Sequence, residues 1–307
     1  MKSRAAVNHA LLVQRRKDDL IGYFFIGPWL ICFLAFTLIP FVISFLLSFT
    51  EYNMLSSPVF VGLANYVRMF TKDALFKKSL GVTFKFVFIA IPLRLIFALV
   101  VALILKRESK AVPLYRVVYY LPSILGGSVA VSVMWRFLFA KNGMINQLLA
   151  ILGINSPAWL GDPHWTLFTV SLLTVWQFGS SMVIFLAGLK QIPAELYEAA
   201  AVDGISKVGT FIKITLPMIS SIIFFNLIMQ MVNAFQEFTG VFVITSGGPM
   251  YSTYLYGMML YENAFSNFKM GYASALSWIL FVIILAFTAL TFKSSSYWTY
   301  YEDGGDF

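Results

Sequence analysis

The sequence is short of charge, of histidine and of cysteine, and each shortage excludes something. Only 12% of its 307 residues are Asp, Glu, Lys or Arg, whereas a soluble domain carries about 25%. Such a chain cannot cover itself with a water-compatible surface. The one cysteine, Cys32, rules out an intramolecular disulfide framework and reads as a small apolar packing residue. The two histidines, His9 and His164, fall in separate polar segments. With no His-x-x-x-His pair, no paired aspartates and no Ser/His/Asp pattern, a membrane enzyme or a metal site is not expected. A Gly-x-x-x-x-Gly-Lys-Ser/Thr loop is missing too, so the chain should not hold ATP itself. Ser246-Gly247-Gly248-Pro249 is glycine-rich but lacks the lysine, and it reads as a turn.

Apolar residues dominate instead, at 59% of the chain, with 31 Phe among them. A spanning helix needs about 20 mostly apolar residues. Six stretches qualify: Leu20–Phe49, Leu80–Leu105, Tyr115–Phe139, Thr166–Leu189, Leu216–Val243 and Gly271–Phe292. Pro28, Pro40, Pro92 and Pro122 lie inside or at the ends of these runs, where neighbouring helices can re-satisfy the backbone. The expected fold is all-α, a polytopic membrane protein with six transmembrane helices. Residues 20–293 would form the membrane unit, with tails at 1–19 and 294–307. Arg15-Arg16-Lys17 precedes a first run far longer than the apolar core of a signal peptide, so that run should be retained as a span. No internal repeat is visible, although autonomous secondary transporters often carry inverted ones.

The formal charge of +8 is explained by its distribution, and no basic stripe calls for nucleic acid as a partner. With the N-terminus in the cytoplasm, the inside holds Lys2, Arg4, Arg15, Arg16, Lys17, Lys106, Arg107, Lys110, Arg116, Lys190, Lys207, Lys213 and Lys293. The outside holds Arg68, Lys72, Lys77, Lys78, Lys141 and Lys269. Thirteen cations against six give an N-in, C-in topology by the positive-inside rule. Lys85, Arg94 and Arg136 are left at membrane depth or its edge.

This orientation puts residues 190–215 in the cytoplasm, and that loop is the most informative segment. Pro193 suits the first turn of a helix. Glu195 and Glu198 sit near its positive end. Ala199, Ala200 and Ala201 offer a small-residue surface that another protein can approach. Gly204 is placed to end the helix, Ser206 to cap the next one, and Pro217 marks re-entry to the bilayer. A lipid-lying helix would carry Lys or Arg on its polar face. Residues 194–203 carry only Glu195, Glu198 and Asp203 as charges, which points to a docking element.

Glu198-Ala199-Ala200, then Asp203-Gly204, Ile214 and Leu216-Pro217, resemble the EAA loop of permease subunits of binding-protein-dependent ABC importers. Residues 60–66 (Phe-Val-Gly-Leu-Ala-Asn-Tyr), Trp176-Gln177, 185–189 (Phe-Leu-Ala-Gly-Leu), Ala234-Phe235-Gln236, 245–249 (Thr-Ser-Gly-Gly-Pro) and 271–275 (Gly-Tyr-Ala-Ser-Ala) place the resemblance in the sugar-permease branch typified by MalF and UgpA. It spans residues 20 to 293, but without the extra N-terminal spans of the maltose subunit. The resemblance implies a bacterial inner-membrane pore subunit of type I importer fold, not an enzyme, with no cofactor of its own. It implies a second permease subunit, in this branch a distinct chain, two ATPase subunits that bind ATP and Mg, and an extracytoplasmic solute-binding protein. Glu198 would make the charged contact with the ATPase, Ala199 and Ala200 would pack in its groove, and Gly204 would make the turn.

Polar side chains at membrane depth are costly, about 2.5–3.5 kcal/mol for a central charge, so they face the bundle interior. Asn226, Gln230, Asn233, Gln236 and Glu237 fall in the fifth run; the steps 226, 230, 233 and 237 share one helical face. Gln177, Ser180 and Ser181 form a smaller patch in the fourth. The resemblance makes Gln177, Ser181 and the five residues of the fifth run candidates for the substrate path. Hydrogen bonding between helices is the alternative role. Trp135, Trp176, Tyr256 and Trp278 could stack on sugar rings or anchor at the interface. Arg94 needs a partner, Glu237 or a carbonyl. The outer cations read first as a docking surface for an acidic binding protein; together with Arg94 they also leave an anionic cargo, an acidic oligosaccharide or a glycerol-3-phosphate-type polyol phosphate, as the alternative to a neutral oligosaccharide.

Overall fold

The computed structural model describes residues 22–107 and 109–300. The tail cations Lys2, Arg4, Arg15, Arg16 and Lys17, together with His9, lie outside the described residues. Three helices are long and apolar enough to cross a membrane: α1 (Gly22–Leu47), α3 (Ala74–Leu105) and α14 (Met270–Trp298). Three bent pairs supply the rest when each counts as one span: α4–α5 (Val112–Leu125 and Val129–Leu138), α7–α8 (Pro163–Trp176 and Gly179–Gln191) and α10–α11 (Lys207–Met218 and Ser220–Phe235). Shorter helices lie between them: α2 (Ala64–Thr71), α6 (Met144–Ile151), α9 (Ala194–Val202), α12 (Thr239–Thr245) and α13 (Tyr256–Tyr261).

Helix α3 is the axis of the bundle. Asp73 caps it, accepting from Leu75 N–H at 3.0 Å and Phe76 N–H at 3.2 Å. Its buried residues Ala90, Ile91, Leu95, Ala98, Val101, Ala102 and Leu105 recur at helical spacing. The alanines among them let α7, α8 and α11 pack closely against it. Helix α1 buries no side chain along Leu34–Leu47, so within this chain it is a peripheral element.

Two stretches of π-helix, Leu34–Leu38 and Phe211–Thr215, stand just before Pro40 and Pro217. A proline ring clashes with the carbonyl four residues back, and a wider turn there absorbs the clash.

Between α1 and α2, β1 (Thr50–Glu51) pairs antiparallel with β2 (Val59–Phe60), Thr50 opposite Phe60 and Glu51 opposite Val59. The Asn65-Tyr66 pair binds this loop to the end of α1. Asn65 Nδ2 donates to the Ser48 and Thr50 carbonyls, both at 2.9 Å, and Tyr66 OH donates to Ser48 Oγ at 2.8 Å.

Three sequence expectations are corrected here. The run Tyr115–Phe139 is not one straight helix but turns by 102° at Gly126-Gly127-Ser128. The run Leu216–Val243 already begins at Lys207, bends by 65° near Ile219 and ends at Phe235, with Val243 in a separate helix. The last helix continues through Lys293 to Trp298, because nothing in Ser294-Ser295-Ser296 breaks it.

Candidate functional site

Two sites take shape, one in the loop of residues 190–215 and one inside the bundle. In the loop, α9 is a single short helix with differently fixed ends. Pro193 is its N-cap and Glu195 lies in its first turn, where the macrodipole favours a carboxylate. Past the C-cap Asp203, Gly204 takes φ +68°. Gly204 N–H donates to the Ala201 carbonyl at 3.2 Å, and Ile205 N–H to that of Ala200 at 2.9 Å. This is the Schellman pairing that closes a helix on a left-handed glycine. Ser206 then caps α10, accepting from Gly209 N–H at 3.2 Å.

Glu195, Glu198, Ala199 and Val202 recur at three-to-four-residue spacing and are all exposed, Val202 to 88%. The other side of α9 is anchored to the bundle. Tyr197 OH and Thr215 Oγ1 are 3.1 Å apart, and Lys106 Nζ lies 4.0 Å from the Tyr197 ring centroid. The expected outward run of three alanines is corrected: Ala200 is only 3% exposed. Successive helical residues point about 100° apart, so Ala199 can face out while Ala200 packs against its own chain.

Inside the bundle, three helix interruptions meet. One lies at Gly126-Gly127-Ser128, one at Gln177-Phe178, and one between Phe235 and Thr239. They surround a cavity of about 460 Å³ whose lining includes Gly126, Gly127, Thr174, Gln177, Asn233, Gln236, Glu237 and Phe238. Broken backbone at membrane depth is tolerated where it lines a cavity and finds other partners.

Gln177 supplies most of those partners. Its Nε2 donates to the Gly126 carbonyl at 3.0 Å. Its own carbonyl accepts from Arg94 Nη2 at 2.7 Å and from Ser123 Oγ at 2.9 Å. Ser123 Oγ also accepts from Ser180 N–H at 2.9 Å, and Arg94 Nη2 donates to Ser180 Oγ at 3.3 Å. Of the two partners the sequence allows Arg94, the structure selects the carbonyl. Among the described residues no ion pair joins Arg94 to Glu237. Glu237 Oε1 instead accepts from Gly240 N–H at 3.1 Å at the start of α12.

The candidate path residues therefore separate. Gln177, Asn233, Gln236 and Glu237 meet at the cavity. Ser181, Asn226 and Gln230 are buried elsewhere: Gln230 Nε2 donates to Ser181 Oγ at 3.1 Å, and Asn226 Nδ2 to the Ile222 carbonyl at 3.1 Å. A single polar face over 226, 230, 233 and 237 is thus corrected, since α11 stops at Phe235, Gln236 is its C-cap and Glu237 lies beyond. Helical periodicity holds only while the helix lasts.

The tryptophans and Tyr256 do not line the cavity. Trp135 Nε1 donates to the Thr169 carbonyl, Trp278 Nε1 to Ser44 Oγ and Tyr256 OH to the Leu276 carbonyl, so they tie helices together. Sequence reasoning missed Gly126, Gly127 and Ser123. The signal was a Gly-Gly pair soon after Pro122 within an apolar run, which marks a break.

Comparison with known proteins agrees with this architecture. Residues 108–296 match the family described as binding-protein-dependent transport system inner membrane component. The chain is 51% identical to the probable ABC transporter permease protein YesP of Bacillus subtilis (strain 168), over 94% of each. It is 32% identical to the trehalose/maltose transport system permease protein MalF of Thermococcus litoralis, over 90% of this chain and 94% of that one. In three dimensions it is similar to a chain from a bacterial ABC transporter involved in the import of the acidic polysaccharide alginate. There the TM-score is 0.80 at 20% identity, covering 93% of this chain and 98% of that one. A six-span bundle with broken helices around a polar cavity, matched by family over more than half its length, belongs to the inner membrane components of binding-protein-dependent transport systems, the permease subunits of ABC importers.

Proposed function

We propose that this chain forms half of the pore of an ATP-driven carbohydrate importer in the bacterial cytoplasmic membrane, with an oligosaccharide as cargo. The observation that carries this reading is the meeting of Gln177, Asn233, Gln236 and Glu237 at three helix interruptions. Amides donate and accept and a carboxylate accepts, which suits the mixed donors and acceptors of sugar hydroxyls. Among the described residues no Lys or Arg lines the cavity, so this half of the path favours a neutral cargo over an anionic one. Relatives named as trehalose/maltose and lactose permeases support the carbohydrate class.

In this reading residues 20–293 are the pore unit, N-in and C-in, with the tails 1–19 and 294–307 in the cytoplasm. A second, distinct permease subunit completes the path, an extracytoplasmic binding protein delivers the sugar, and two ATPase subunits bind ATP and Mg. Helix α9 is the coupling element. Glu195, Glu198 and Ala199 face the ATPase, while Ala200 holds the helix to its own bundle and Asp203-Gly204 fix the turn. Hydrolysis moves α9, and the two permease subunits rock between inward- and outward-facing states.

The test is uptake by the transporter reconstituted with its partner subunits. Neutral oligosaccharides should be imported in an ATP-dependent manner and should compete better than uronate-containing ones; the reverse order would overturn the neutral-cargo reading. Glu198→Arg should abolish uptake with membrane insertion intact. Normal uptake in that variant would remove α9 from the coupling role.

A further inference from the structure

A second hollow lies on the bundle side of α9. It has a volume of about 660 Å³, and its wall includes Leu103, Lys106, Arg107, Tyr197, Lys207 and Phe211. Among the described residues that line it, three are cationic and none is acidic. Depth decides what it can meet. Helix α3 has 32 residues, about 48 Å at 1.5 Å per residue, while a bilayer with its headgroups measures about 40–45 Å. An α3 that crosses the bilayer close to its normal therefore has its ends at headgroup level. Lys106 and Arg107 directly follow its last residue, Leu105. Leu103 and Phe211 add apolar wall beside the cations.

We propose that this hollow binds the phosphate of an anionic phospholipid from the cytoplasmic leaflet, next to the coupling helix. Basic pockets between transmembrane helices on that side hold acidic headgroups, and the apolar wall suits the first carbons of an acyl chain. Lys106 is already oriented by the Tyr197 ring at 4.0 Å. Because Tyr197 belongs to α9 and Lys207 opens α10, one headgroup bridges the end of α3 and both arms of the loop. The inference rests on the N-in orientation and on nothing about cargo.

The full-length chain, purified in detergent and stripped of lipid, can be titrated with phosphatidylglycerol, phosphatidylcholine or inorganic phosphate, with binding read by native mass spectrometry and by thermal shift. Phosphatidylglycerol should be retained and should raise the melting temperature, and the other two should not. Lys106→Gln with Lys207→Gln should weaken retention about 25-fold, or about fivefold for each lysine, the equivalent of about 1 kcal/mol per cation near a membrane surface. Lys106→Arg with Lys207→Arg should keep it and serves as the folded control. Lys77→Gln with Lys78→Gln, at the outer end of α3, should leave it unchanged. Equal binding of both lipids, or phosphatidylglycerol binding insensitive to the glutamine pair, would overturn the site. Inorganic phosphate protecting as well as the lipid would overturn the lipid source. No transport is measured, so failure here and failure of the import reading are told apart.

Discussion

Gly204 offers a graded test of the coupling loop. Its φ of +68° belongs to the left-handed region, where an L-residue with a Cβ loses about 1–2 kcal/mol. An ideal Cβ at this position meets nothing within 4 Å, so an alanine there perturbs only the backbone. Asn tolerates the left-handed region, Ala does not, and a β-branched residue is worst. The predicted order is therefore Gly, Asn, Ala, Val. At about 1 kcal/mol, Ala should shift the closed turn about fivefold toward open forms. Helix α9 has only nine residues and cannot hold itself together without its caps and its packing, so the loss falls on its orientation and not on the spans. Hydrogen exchange at the Gly204 and Ile205 amides reads the turn, and uptake per inserted transporter reads the coupling. Exchange and uptake in Gly204→Val equal to wild type, or Gly204→Asn falling below Gly204→Val, would refute the reasoning.

The neighbouring glycines at the first break behave differently. A Cβ on Gly126 runs into the Gln177 side chain, whereas one on Gly127 meets nothing within 4 Å; Gly126→Val should lose most uptake at normal expression, and Gly127→Ala should keep it. Gln177→Ala and Gln236→Ala should raise the KM for sugar. Gln230→Leu, which removes only the bond to Ser181, should leave KM alone and cost about 0.6 kcal/mol of stability; a KM effect from Gln230 as large as from Gln236 would erase the distinction between the two groups. Arg94→Lys should lower the melting temperature in detergent, because Arg94 Nη2 alone bonds both the Gln177 carbonyl and Ser180 Oγ and a more strongly hydrated ammonium on a stem of different reach does not put its nitrogen at that point; an unchanged melting curve would count against Arg94 as the link.

What the sequence made legible was local. Pro193, Gly204 and Ser206 act on their own neighbours, so the ends of α9 could be placed from residue chemistry. The spans were legible as apolar runs but not as shapes. A kink needs a partner for the freed backbone, and the partner of the Gln177 carbonyl is Arg94, 83 positions away. No local pattern encodes that pairing. The burial of Ala200 was hidden for a different reason. An unbroken alanine triplet has no amphipathic period, so nothing in it says which alanine faces in.

The position of Arg94 says how the two sites can communicate. Helix α8 is one unbroken run of 13 residues, about 20 Å long, from the break at Gln177-Phe178 to the link into α9. Its residues Met182, Phe185, Leu186 and Leu189 are buried. A displacement of α9 that is carried along α8 must bend this packed helix or flex the break at Gln177-Phe178, and that link between α7 and α8 is the softer element. Arg94 and Ser123 hold that link through a single carbonyl oxygen. A hydrogen bond from a charged donor is worth about 1.5–3 kcal/mol, small enough to break and re-form within a transport cycle. Ser123→Ala removes one of the two donors to that oxygen and leaves the Ser180 N–H without its acceptor, a loss of about 1 kcal/mol. It is expected to lower the melting temperature slightly and to change the rate of uptake per inserted transporter, because the break opens more readily. A lowered melting temperature with an unchanged uptake rate would show that the break is not the hinge.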